Sequence, residues 1–97
     1  GARVLLVEDN EINQQVASEL LHDQGLSVDI ASNGQVALER LAETEYDLVL
    51  MDMQMPVMDG LTATRRIRDQ AQWAELPIVA MADRLVNPTA QVRIEAL

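Results

Sequence analysis

Cysteine, lysine and phenylalanine are absent from the 97 residues, and tryptophan and tyrosine occur once each. Without cysteine there is no disulfide and no thiolate metal site. Without lysine, all permanent positive charge rests on seven arginines facing sixteen acids, a net charge of -9. So acidic a chain is a poor match for a nucleic-acid phosphate backbone and suits a cation or a basic protein surface. No run approaches the ~18 to 20 consecutive apolar residues of a membrane span, and the first residues lack the basic-then-apolar design of a secretory signal. A cytoplasmic domain without membrane contact is the expectation. The scarcity of aromatics leaves an interior of Leu, Val, Ile, Met and Ala, and the length fits one domain, 1–97, with one modest core.

What is present is an alternation of short apolar runs with longer amphipathic segments, the pattern of βαβ units around a parallel sheet. "RVLLV" (3–7) reads as a first strand. Asn10 can cap a helix running to about Gln24, with Ile12, Val16 and Leu20 on one face and Gly25 as its stop. "SVDIA" (27–31) alternates, as an edge strand does, whereas "VLLV", "LVLM" and "IVAM" are continuous, as strands covered on both faces are. Asn33 caps a second helix to about Glu43, and Tyr46 to Met51 is a third strand. Gly60 to about Gln72 is a third helix carrying Leu61, Thr64, Ile67 and Ala71. Pro77 opens a fourth strand at "IVAM" (78–81). The tail carries a last helical signal: Asn87 as cap, Pro88 at the first helical position, and Val86, Ala90, Ile94 and Leu97 at helical spacing.

Right-handed crossovers place the second strand on one side of the first and the third on the other, giving the order 2-1-3-4 and a ligand crevice beyond the carboxyl ends of the strands. Strand one ends "VEDN" and strand three ends on Asp52, so Glu8, Asp9 and Asp52 arrive at one crevice. At ~5 Å and an effective dielectric near 20, each pair of carboxylates repels by roughly 3 kcal/mol. A divalent cation relieves this, and all-oxygen ligation is the preference of Mg²⁺. Asp52 thus reads as a carboxylate held beside a metal where it can act as a nucleophile. A strand-end acid can also cap a helix, and Asp9 taken alone does not separate the two readings. Met51, Met53, Met55 and Met58 read as adaptable packing, His22 as solvent-exposed, and Arg65, Arg66 and Arg68 as a solvated basic face.

"VLLVEDNEINQQVASELL", "NGQVALERL", "YDLVLMDMQMPVMDG" and "LPIVAM" together resemble a response-regulator receiver domain, most like the receivers of hybrid sensor histidine kinases. The resemblance implies a flavodoxin-like three-layer αβα sandwich and a role in two-component phosphorelay signalling, as a phosphoacceptor domain rather than a free-standing enzyme. It implies Asp52 as phosphoacceptor and Asp9 as a direct ligand of Mg²⁺ or Mn²⁺. Glu8 would reach the ion through water and the Gln54 backbone carbonyl would be a further ligand. The implied partner is a histidine kinase or a histidine phosphotransfer domain.

The resemblance then stops. Ala82 stands where the family places a Thr or Ser that binds the phosphoryl group, no lysine stands for the family's Lys-Pro, and the chain runs about one strand and one helix short of the pattern. These departures favour an alternative, a pseudo-receiver acting as an interaction or regulatory module without phosphorylation. A phosphatase-like hydrolase would want a second acid two residues past Asp52, where Gln54 stands. With its usual neighbour missing, the fourth strand would present a free edge, which predicts cover from something else: a homodimer through strand four or through the C-terminal helix.

Overall fold

A computed structural model of the chain describes residues 2–52, 60–81 and 94–96. Strands β1 (Arg3–Val7), β2 (Ser27–Ala31), β3 (Leu48–Asp52), β4 (Ile78–Met81) and β5 (Ile94–Ala96) form a single sheet in the order β2-β1-β3-β4-β5. The first four are parallel, in the expected order, and β2 is the outer strand. Helices α1 (Glu11–Asp23), α2 (Gly34–Glu43) and α3 (Gly60–Arg68) connect them.

The period of two along each strand builds two cores from one sheet. Leu5, Val7, Val49, Met51 and Ile78 point to the side where Ala37 and Leu41 of α2 and Ala63 and Ile67 of α3 pack. Val4, Leu6 and Leu50 point to the other side, under Ala17 of α1. That is a three-layer αβα arrangement with two helices on one face and α1 on the other.

The caps follow the sequence. Asn10 Oδ1 accepts from the N–H groups of Ile12 (2.9 Å) and Asn13 (3.1 Å), and Asn33 Oδ1 accepts from Val36 N–H (2.9 Å). At the far end of α1, Gly25 takes φ 81°, while its N–H bonds the His22 carbonyl (2.9 Å) and the Leu26 N–H bonds the Leu21 carbonyl (3.1 Å). This pair of bonds around a left-handed residue is a Schellman stop, and glycine meets its backbone requirement without strain.

Four expectations need correction. Ile12, Val16 and Leu20 do share a face of α1, but it is turned outward: Ile12 is 63% and Leu20 56% exposed, and the helix buries Asn13 and Ala17 instead. Small Ala17 lets the helix sit close to the sheet, and Asn13 is drawn to Glu8. The third helix ends at Arg68, not near Gln72; a 3₁₀ turn at Ala71–Trp73 follows, and Arg68 Nη1 donates to the carbonyls of Trp73 (2.9 Å) and Ala74 (3.1 Å). Arg68 is therefore a C-terminal clasp, while Arg65 and Arg66 are exposed as expected, like His22. The tail segment Ile94–Ala96 is not helical but a strand, antiparallel to β4 with Met81 opposite Ile94. Its short extended pairing meets β4 from Val79 to Met81 within the same chain, so along these residues strand four does not present the open edge expected for a homodimer. The expected cap at Asn87 and Pro88 lies outside the described residues.

Candidate functional site

Register brings the acids together. Val7 pairs with Met51 across β1 and β3, so the chain leaves β1 into Glu8 and Asp9 directly beside Asp52, the last residue of β3. The Glu8 N–H still bonds the Ala31 carbonyl of β2 (3.0 Å), which keeps its backbone in the sheet's plane. One carboxylate oxygen from each of Glu8, Asp9 and Asp52 lies within 4.8 Å of the others. Their environments differ: Glu8 is buried, Asp52 half-buried and Asp9 exposed.

Glu8 is the most heavily constrained of the three. Asn13 Nδ2 donates to Glu8 Oε1 at 2.5 Å, and Gln14 Nε2 donates to the Glu8 carbonyl at 2.6 Å. Burial first, then the hydrogen bond to Asp52, pushes the Glu8 carboxyl up from 4.5 to about 8, against the opposing pull of Asn13. A metal-free site thus keeps a proton at Glu8 in near-neutral solution. The donor set fits a hard divalent cation: three carboxylates, all oxygen, one open to solvent and one reluctant to ionise without a positive charge nearby.

Glu8, Asp9 and Asp52, named from the sequence, are gathered by the fold. Gln54 and Ala82 lie outside the described residues, as do Met53, Met55 and Met58; Met51 is fully buried in the core. Sequence reasoning passed over Asn13 and Gln14. A signal was available, since Asn13, Ala17 and Leu21 follow helical spacing and an Asn in such a stripe faces either water or a polar partner.

Comparison with known proteins agrees with this geometry. The chain matches the family of the response regulator receiver domain over residues 4–96. It is 56% identical over 84 residues to "Two-component response regulator ORR41" of Oryza sativa subsp. japonica, covering 82% of this chain and 65% of that protein. It is 53% identical over 66 residues to "Histidine kinase 5" of Arabidopsis thaliana, covering 68% of this chain and 7% of that protein. Among solved structures, the receiver domain of sensor histidine kinase PA1611 from Pseudomonas aeruginosa PAO1 superposes with a TM-score of 0.82 at 38% identity, over 91% of this chain and 72% of that one. That structure has a magnesium ion coordinated in its active-site cleft. The chain spans less than two thirds of these curated relatives' own lengths, and among the described residues no helix is long and apolar enough to cross a membrane. Sheet order, acid cluster and family match converge: the chain belongs to the response regulator receiver domains of two-component signalling.

Proposed function

We propose that this receiver accepts a phosphoryl group on Asp52 from the phosphohistidine of a histidine kinase or a histidine phosphotransfer domain. The carrying observation is the placement of half-buried Asp52 at the end of β3, with one of its oxygens within 4.8 Å of oxygens of Glu8 and Asp9. A carboxylate oxygen of Asp52 attacks phosphorus, the P–N bond to the imidazole breaks, and the leaving imidazole nitrogen takes up a proton from solvent. Mg²⁺, held by Asp9, Asp52 and the Gln54 carbonyl with Glu8 behind them, would neutralise charge gathering on the phosphoryl oxygens. The chain's own part is to keep Asp52 at a strand end, open enough for in-line approach, and to hold Glu8 buried beside it.

A specific observation favours a second reading, the pseudo-receiver. The chain contains no lysine, and Ala82 stands where the family carries a hydroxyl. Loss of one positioned donor of charge stabilisation costs about 2.7 to 4 kcal/mol, so two missing donors would slow transfer by about four to six decades if additive. Incubation with Mg²⁺ and acetyl phosphate, followed by mass spectrometry, separates the readings. One added phosphoryl group on wild type and none on Asp52→Asn supports the phosphoacceptor. Prolonged incubation with no added mass, in a chain that still binds Mg²⁺, supports the pseudo-receiver.

A further inference from the structure

Asn13 occupies a position made for an apolar side chain. It lies on the α1 stripe with Ala17 and Leu21, the stripe that meets Val4, Leu6 and Leu50 of the sheet, and it is only 7% exposed. Its Nδ2 donates to Glu8 Oε1, while its Oδ1, buried, finds no donor among the described residues. An unsatisfied buried acceptor costs about 1–3 kcal/mol, a penalty that leucine at the same place would avoid. Packing therefore does not account for the residue, and its side-chain hydrogen bond to Glu8 does. Around that bond the first turn of α1 is built as a clamp. Asn10 fixes the start of the helix by accepting from the Asn13 N–H, and Gln14 holds the Glu8 carbonyl while Asn13 holds its carboxylate.

We infer that Asn13 is a positioning residue for the metal site. By occupying Oε1 from the helix side, it fixes the orientation of the buried Glu8 carboxylate beside Asp9 and Asp52. This rests on the reading of the three acids as a divalent-cation site. Asn13 touches neither ion nor substrate; it acts through Glu8. Partners that orient a ligand-bearing group in this way are worth about 10- to 100-fold in metal affinity.

The test is Mn²⁺ binding, read from the electron paramagnetic resonance signal of the free ion and from displacement by Mg²⁺. It is carried out on wild type, Asn13→Leu, Glu8→Ala and the double variant, with metal-free thermal unfolding alongside. Asn13→Leu is expected to weaken Mn²⁺ by about 10-fold or more without lowering the metal-free melting temperature. In the Glu8→Ala background the same substitution is expected to leave the affinity unchanged, because the acceptor through which it acts is already gone. Asn13→Ala, which removes the donor with less demand on packing, gives the same comparison should the leucine variant not fold. An affinity unchanged in Asn13→Leu or Asn13→Ala overturns the inference alone, and so does an equal loss in both backgrounds, the mark of a merely structural residue. Failure of wild type to bind Mn²⁺ or Mg²⁺ overturns the metal-site reading and the inference with it.

Discussion

The two faces of the sheet are made from alternate residues of the same strands and are put to different uses. On the α2–α3 face, eleven of the described residues are buried together, among them Leu5, Val7, Val49, Met51, Ile67 and Ile78, with Val36, Leu38, Trp73 and Leu76 packed over them. Among the described residues, the α1 face buries only Val4, Leu6, Ala17 and Leu50 together, and Leu21, Leu26, Val28, Ile30, Leu48 and Val79 are partly covered. The first face is a core in the ordinary sense. The second gives up a core position to Asn13, which bonds Glu8, and turns Ile12 and Leu20 of α1 outward while Leu21 packs inward.

The largest effect should fall on the first face. Ile67 is fully buried, and Ile67→Ala is expected to cost about 2–5 kcal/mol in urea unfolding. Leu21→Ala on the second face, where the side chain is only partly covered, should cost less than half of that. Equal losses would mean that the faces share the load and that the contrast is one of appearance only.

The next effect concerns pH, and it belongs to the α1 face. Glu8 has its carboxyl raised from 4.5 to about 8, first by burial and then by the hydrogen bond to Asp52. Between those values the folded chain holds a proton that the unfolded chain has released. Metal-free stability should therefore fall as pH rises from about 4.5 to about 8 and level off above, by this group's contribution. Thermal unfolding of Glu8→Gln in chelator should lack that part of the slope, and excess Mg²⁺, which takes the ionised carboxylate, should flatten the wild-type curve. A wild type and a Glu8→Gln variant with parallel pH profiles would show that Glu8 is not held protonated in the fold.

How far the sequence carried this picture depended on whether a signal was local. Strands β1, β2 and β4 have the bounds their apolar runs suggest, and both Asn caps and the Gly25 stop are where short-range chemistry puts them. The convergence of Glu8, Asp9 and Asp52 was legible because parallel order and strand ends follow from topology. The outward turn of Ile12 and Leu20 was not, because helical spacing defines a face without saying which way it points. That choice is made by the Asn13–Glu8 bond and the close approach of Ala17. The tail misled for a related reason: "NPTAQVRIEAL" has helical spacing, but Ile94–Ala96 answers the unpaired β4 edge, a demand set by another part of the chain.

A smaller effect tests how the first face is closed at its lower end. The Tyr46 hydroxyl donates to Asp29 Oδ2 of the outer strand at 2.8 Å, linking the approach to β3 with β2. Tyr46→Phe removes the bond and keeps the ring, so about 1 kcal/mol should be lost. Burial first, then the Asp29 contact, raises the phenol above its usual 10.0, so the folded state resists deprotonation and wild-type stability should decline as pH passes above 10. In Tyr46→Phe that alkaline decline should be reduced.

The smallest effect on stability is expected from the outward stripe of α1, and there the contrast between the faces becomes functional. Ile12 and Leu20, at 63% and 56% exposed, contribute little burial, so Ile12→Ser and Leu20→Ser should change unfolding by no more than about 0.5 kcal/mol. Ile12 stands in the first turn of α1, three residues beyond Asp9, so the stripe begins beside the acids and runs away from them along the helix. If the proposed transfer to Asp52 takes place, the donor protein would approach this rim, where Ile12 and Leu20 offer exposed apolar side chains. The expected outcome is asymmetric. Labelling by a phosphorylated histidine phosphotransfer protein should fall in the double serine variant, while labelling by acetyl phosphate, which needs no docking, should match wild type. A loss of both activities would place the stripe's role in the site itself, and a loss of neither would leave α1 with the positioning of Glu8 as its contribution to function.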